Sequence, residues 1–153
     1  MNRARRSILI AAGLLGAALL GAPQPGLAQN NAAALRIIVT RINSAKGLVR
    51  IALCPPQAGF PDCKTRVARS ASLPINAGQA EAEFEGLAPG TYAVSVFHDE
   101  NSNGKLDRFM GIPKEGYGFS RNPGFKPRAP KFSEAEITVT GRAAVVIKLR
   151  YIL

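Results

Sequence analysis

The feature that most constrains this chain is a two-residue alternation of apolar and polar side chains, in short runs punctuated by turn formers. Leu35, Ile37 and Val39 alternate with Arg36 and Thr40. Val49, Ile51 and Leu53 form one face of the next run, opened by the turn signal Ser44-Ala45-Lys46-Gly47. A weaker run spans Arg66 to Leu73, and Ala80, Ala82 and Phe84 then alternate with Glu81, Glu83 and Glu85. Tyr92, Val94 and Val96 follow Pro89-Gly90; Ile137 and Val139 are expected to pair with Val145, Ile147 and Leu149 across Thr140-Gly141-Arg142. Successive side chains of a strand point to opposite faces, so a period of two predicts strands with one face on a core and the other polar. Few segments show helical spacing. The expected fold is all-β, an antiparallel β-sandwich of about seven short strands.

Ahead of these runs lies a different pattern. Arg3, Arg5 and Arg6 precede an apolar stretch, Ile8 to Ala22, which Pro23 and Pro25 break before the small-residue exit Gly26-Leu27-Ala28. A basic head, an apolar middle and a small-residue exit predict a secretory signal over residues 1–28 and one exported domain over 29–153, periplasmic or extracellular. The apolar run falls short of the roughly 20 residues of a spanning helix, so no membrane span is expected in the mature protein. Arg5-Arg6 also fits a twin-arginine signal, and the sequence leaves the export route open. Removing the leader leaves 17 basic against 10 acidic residues. The basic residues are scattered from Arg36 to Arg150 without a dense run, which together with export argues against nucleic acid and for a basic soluble surface.

Cys54 and Cys63 enclose Pro55-Pro56-Gln57-Ala58-Gly59-Phe60-Pro61-Asp62, a turn-rich stretch. An even cysteine count in an exported chain predicts a disulfide; a closure this short contributes about 2–3 kcal/mol by the loop-entropy estimate. Two lone thiols make a poor zinc site, which wants four ligands.

From Asp99 to Pro130 the alternation stops and a long Gly/Pro-rich loop is expected. Its start, Asp99-Glu100-Asn101-Ser102-Asn103-Gly104-Lys105-Leu106-Asp107, places oxygen-bearing side chains at loop positions 1, 3, 5 and 9, with glycine at 6. Calcium takes six to eight hard oxygens, and such spacing offers Asp99, Asn101, Asn103, Asp107 and the Lys105 carbonyl, with Glu115 or Glu100 able to fold in. Met110 stands where an EF-hand has its bidentate Glu, and no helices flank the run. Two readings stay open: a calcium loop, or a loop of Asx turns whose side chains cap their own backbone.

His98 is the chain's one histidine and continues the Tyr92-Val94-Val96 face, which predicts a buried structural role. A hydrolase would need His98 with a nucleophile such as Ser120 and an acid such as Glu115 or Asp99 around it, and no nucleophile-elbow pattern surrounds any serine. The expectation is a protein that is not an enzyme.

The run Gly86-Leu87-Ala88-Pro89-Gly90-Thr91-Tyr92 through Asp107, followed by Gly111-Ile112-Pro113-Lys114-Glu115-Gly116-Tyr117-Gly118-Phe119-Ser120, resembles the bacterial family called domain of unknown function 2141. The likeness extends to Pro130-Lys131-Phe132 and the closing strand near Ile147 to Tyr151. It implies an exported, immunoglobulin- or prealbumin-like sandwich with no established activity. The functional expectation is a non-catalytic binder of an unknown ligand or cell-envelope partner through segment 99–130, with calcium ordering it. One alternative is a carbohydrate or cell-envelope module using Tyr117, Phe119 and Phe125; another is a hydrolase centred on His98 and Glu115.

Overall fold

A computed structural model describes residues 32–153, so the leader expected over residues 1–28 lies outside the described residues. The chain forms β1 (Ala33–Thr40), β2 (Leu48–Cys54), β3 (Arg69–Leu73), β4 (Ala80–Leu87) and β5 (Gly90–Asp99). The short β6 (Arg108–Phe109), β7 (Ile112–Pro113) and β8 (Tyr117–Phe119) follow, then one helical turn α1 (Phe132–Ala135), β9 (Glu136–Val139) and β10 (Arg142–Lys148). The fold is nearly all-β.

Two main sheets hold the strands. One has the order β10-β1-β4; the other runs β3-β2-β5-β8, with β9 also paired to β5, and β6-β7 form a separate hairpin. The inward residues of both sheets meet in one apolar core. Leu35, Ile37, Val39, Val49, Leu53, Val94, Val139 and Ile147 are fully buried in it. Burying a side chain of this kind contributes about 1.5–3 kcal/mol, so the alternation decides which face of each strand turns inward and forbids a one-residue slip. The opposite face of β1 and β4 is charged, with Arg36 paired to Glu81 and Arg142 to Glu83.

Three expectations are corrected. Among the described residues the strands number ten, because segment 99–130 contains β6, β7 and β8; at two or three residues each, they are too short to show a period. The pairing is not antiparallel throughout: β10 lies parallel to β1, from Ala34↔Arg142 to Thr40↔Lys148. Nor do Ile137 and Val139 pair with Val145, Ile147 and Leu149. The turn at Thr140-Gly141-Arg142 carries the chain between sheets, so β9 pairs with β5 while β10 takes the free edge of β1. That edge offers a seven-pair ladder, which four-residue β9 could not match.

Cys54 and Cys63 are joined in a disulfide, with Cα atoms 5.7 Å apart. The loop it closes places the Phe60 ring edge-on against Phe119 at 5.6 Å and Phe132 at 6.1 Å, bracing the end of β8 and the start of α1.

Candidate functional site

The site is built where β5 runs out. Its alternation sends His98 into the core and Asp99 to the opposite face, and both are fully buried. Loop 99–107 folds back over Asp99. One Asp99 carboxylate oxygen accepts from the Asn103 amide (2.9 Å) and the other from the Gly104 amide (2.8 Å) and the Arg50 guanidinium (2.9 Å). Burial pushes this carboxyl upward, but the Gly104 and Asn103 amides and Arg50 together outweigh it and hold Asp99 below the usual carboxylate range. Gly104 sits at φ +78°, the bend expected of loop position 6.

The rest of the loop is a chain of Asx contacts. Asn101 Oδ1 accepts from the Asn103 amide (3.1 Å), and Asn103 Oδ1 from the Lys105 amide (2.8 Å). Both asparagines donate through Nδ2 to Asp107, at 2.8 and 3.1 Å. Glu115 closes the loop from outside. Nearly buried, it accepts from the Glu100 amide at one oxygen and the Asp107 amide at the other, each at 2.9 Å, and so ties the loop's two ends together. Among the described residues, no three His, Cys, Asp or Glu side chains converge as a metal-ligand group. The loop gathers the hard-oxygen side chains of Asp99, Asn101, Asn103 and Asp107, with both asparagines now turning Nδ2 toward Asp107.

His98 is held at both ring nitrogens. The Lys46 carbonyl, 2.7 Å from Nε2, only accepts, so Nε2 donates. The Tyr151 hydroxyl accepts from the Asn43 amide (3.1 Å) and donates to Nδ1 (2.8 Å). Burial raises the Tyr151 hydroxyl above the ordinary tyrosine range. Ser120 is equally enclosed: its Oγ accepts from the Val94 amide at 2.9 Å and donates to the Ala135 carbonyl. Thus His98, Glu115 and Ser120 are each engaged with backbone or Tyr151, and no hydrogen bond joins one of them to another.

Strand β5, the pinned loop and the return through Gly116 to Ser120 all fall inside a family match. Residues 37–147 match the family described as "Uncharacterized protein conserved in bacteria (DUF2141)". The chain belongs to that family. No curated protein and no solved structure matches it.

This DUF2141 domain also has an open groove of about 630 Å³, whose lining includes Tyr117, Phe119, Asn122, Arg41, Lys148 and Arg150. The two sheets are stitched together along its floor, where Tyr117 and Arg150 exchange backbone hydrogen bonds of 3.0 and 2.8 Å. Arg150 also donates to the Pro123 carbonyl (3.1 Å), and its guanidinium lies 5.9 Å from the centre of the exposed Phe125 ring. Next to this groove, Lys126 and Arg128 converge on Glu134, which they and the Lys131 amide hold far below its ordinary range. Sequence reading misses Arg50, which reaches Asp99 at the head of the loop, and Tyr151, which reaches His98 just before it, each from about 50 residues away in the chain. Arg50's place in an otherwise apolar strand was the available signal.

Proposed function

We propose that this DUF2141 protein is an exported, non-catalytic binding module, a two-sheet sandwich of the immunoglobulin or prealbumin kind that takes its ligand along segment 99–130. One observation carries the reading. The segment's buried polar groups, Asp99, Glu115, His98 and Ser120, are engaged inside the protein, while Arg41, Lys148, Arg150, Tyr117 and Phe119 border an open groove. Guanidinium and ammonium groups pair with carboxylate, sulfate or phosphate, and the aromatic rings offer faces to the apolar side of a sugar. An acidic carbohydrate of the cell envelope fits this chemistry. Backbone hydrogen bonds between Tyr117 and Arg150 already order part of the groove's lining, which lowers the ordering cost of binding.

The test is a glycan array at moderate salt. Acidic glycans are expected to bind in preference to neutral ones, and the double variant Arg41→Glu, Lys148→Glu should abolish the signal without lowering the melting temperature. Failure of the unaltered protein to bind any acidic glycan would overturn the reading. A hydrolase centred on His98 and Glu115 has less support, since the ring nitrogens of His98 and both oxygens of Glu115 already hold structural partners.

A second reading is favoured by the convergence of Asp99, Asn101, Asn103 and Asp107 around one loop centre: calcium orders this loop. Those residues and the Lys105 carbonyl would hold the ion, and Asn101 and Asn103 would turn their amide oxygens toward it. Calcium would supply charge neutralisation for Asp107 in place of the two amide donors. A melting temperature that rises with calcium and falls back with EDTA, in the unaltered protein but not in Asp107→Ala, is expected; no shift at millimolar calcium would remove this reading.

A further inference from the structure

We propose that the β6–β7 hairpin is a membrane-contacting finger, which seats an apolar tip in the headgroup region of an anionic phospholipid bilayer. Its tip is Phe109-Met110-Gly111-Ile112, and its three large side chains stand in solvent: Phe109 is 59% exposed, Met110 86% and Ile112 41%. Phe109 and Ile112 face each other as a cross-strand pair, so one face of the finger is continuous apolar surface.

The turn itself makes this placement costly. Met110 and Gly111 lie at φ +50° and +82°. A two-residue turn with both central residues at positive φ ordinarily takes Asn or Gly first. Here the first position carries a long apolar side chain in a conformation it disfavours, aimed away from the core. Nothing in the folded domain benefits from it.

The surroundings select the occupant. Lys105, Arg108 and Lys114 are exposed around the base of the finger, and residues 29–153 carry 17 basic against 10 acidic side chains. The nearby acids are drawn inward: Asp107 is held by Asn101 and Asn103, Glu115 is buried, and Glu100 is only partly exposed. An apolar tip above a basic collar matches the acyl boundary and the anionic headgroups of a bilayer. A four-residue tip is far smaller than the roughly 800 Å² that each side of a stable protein interface buries. The base is already ordered, since the Lys114 amide donates to the Asp107 carbonyl and the Asp107 amide to Glu115, both at 2.9 Å. This inference shares no residue with the groove and stands apart from the glycan reading.

The chain has no tryptophan, so a Met110→Trp variant reports on the tip alone. Mixed with phosphatidylglycerol vesicles at low salt, its emission should shift to the blue and be quenched by brominated lipid. Val67→Trp, at an exposed position on another loop, should show neither effect, and soluble glycerol phosphate should leave the Met110→Trp emission unmoved. Replacing Lys105, Arg108 and Lys114 together by Ala should weaken vesicle binding on the order of a hundredfold, about fivefold for each basic residue near the surface. Met110→Gly, which suits the turn, should keep or raise the melting temperature while weakening binding. Unshifted and unquenched Met110→Trp emission at saturating vesicles, or an equal response from Val67→Trp, would overturn the proposal.

Discussion

Ser120→Ala separates a structural serine from a reactive one more cleanly than any other change in this molecule. The side chain is fully buried, and its hydroxyl bridges the Val94 amide in β5 and the Ala135 carbonyl in α1. Those partners are themselves fully buried residues, so water cannot replace the lost bonds without opening the packing. Removing one oxygen leaves almost no cavity and no steric change. What remains is one buried donor and one buried acceptor without partners, each costing about 1–3 kcal/mol. The expected destabilisation is therefore roughly 2–6 kcal/mol, which at about 4 °C per kcal/mol for a domain of this size lowers the melting temperature by roughly 8–24 °C.

Urea unfolding followed by far-ultraviolet circular dichroism measures it. The midpoint should fall with the slope unchanged, and Ser133→Ala, at an exposed position, should stay within about 0.5 kcal/mol of the parent. A catalytic Ser120 would give the opposite signature, with stability retained and an activity lost. A Ser120→Ala loss below about 0.5 kcal/mol would refute the bridge as a stabilising element.

Two further outcomes test the loop and its neighbour. The Asp99 carboxyl is held below its ordinary range, so its contribution is fully present above the unfolded value near 3.9 and is lost as pH falls through the lower folded value; the stability gap between the parent and Asp99→Asn should thus be wide at neutral pH and shrink as pH falls below the unfolded value, and a gap indifferent to pH would contradict the assignment. Gly116 is a close approach: a Cβ there would lie 2.3 Å from the Tyr151 ring carbon Cζ and 2.6 Å from its hydroxyl. Gly116→Ala should therefore displace the ring, and an ultraviolet phenolate titration should show the raised tyrosine returning to the ordinary range; an unchanged titration would mean that the ring is not held there.

How much of this was legible depends on how far apart in the chain the causes lie. Alternation is local, and it located β1, β2, β4 and β5 and put His98 on the inward face, since each strand carries its own hydrophobic record. Strand partnership is not local. Nothing in Val145, Ile147 and Leu149 says whether they lie against β9, across a short turn, or against β1, about 100 residues earlier. The candidate site divides the same way. The Asx contacts from Asp99 to Asp107 follow from short spacing, whereas the Arg50 and Tyr151 contacts depend on strands brought together by the fold. Ser120 looked like any loop serine, because a side chain bridging two backbones has no sequence pattern.

A single physical demand explains where these polar residues lie. Segment 99–130 has too few inward apolar side chains to fold by burial, and its backbone groups still need partners where they leave water. Asp99, Glu115, His98 and Ser120 supply those partners, so their burial follows from the segment's composition rather than from a reaction. The residues left to meet other molecules are then those whose side chains still face solvent, Arg41 and Lys148 on the rim of the groove and the apolar hairpin tip. The two groups make opposite predictions under substitution. A change at a buried polar group should lower stability and binding together, while Lys148→Glu or Met110→Gly should alter binding at a constant or higher melting temperature. If instead the rim and tip variants unfolded the domain while the buried ones left it intact, the assignment of framework and surface would have to be reversed.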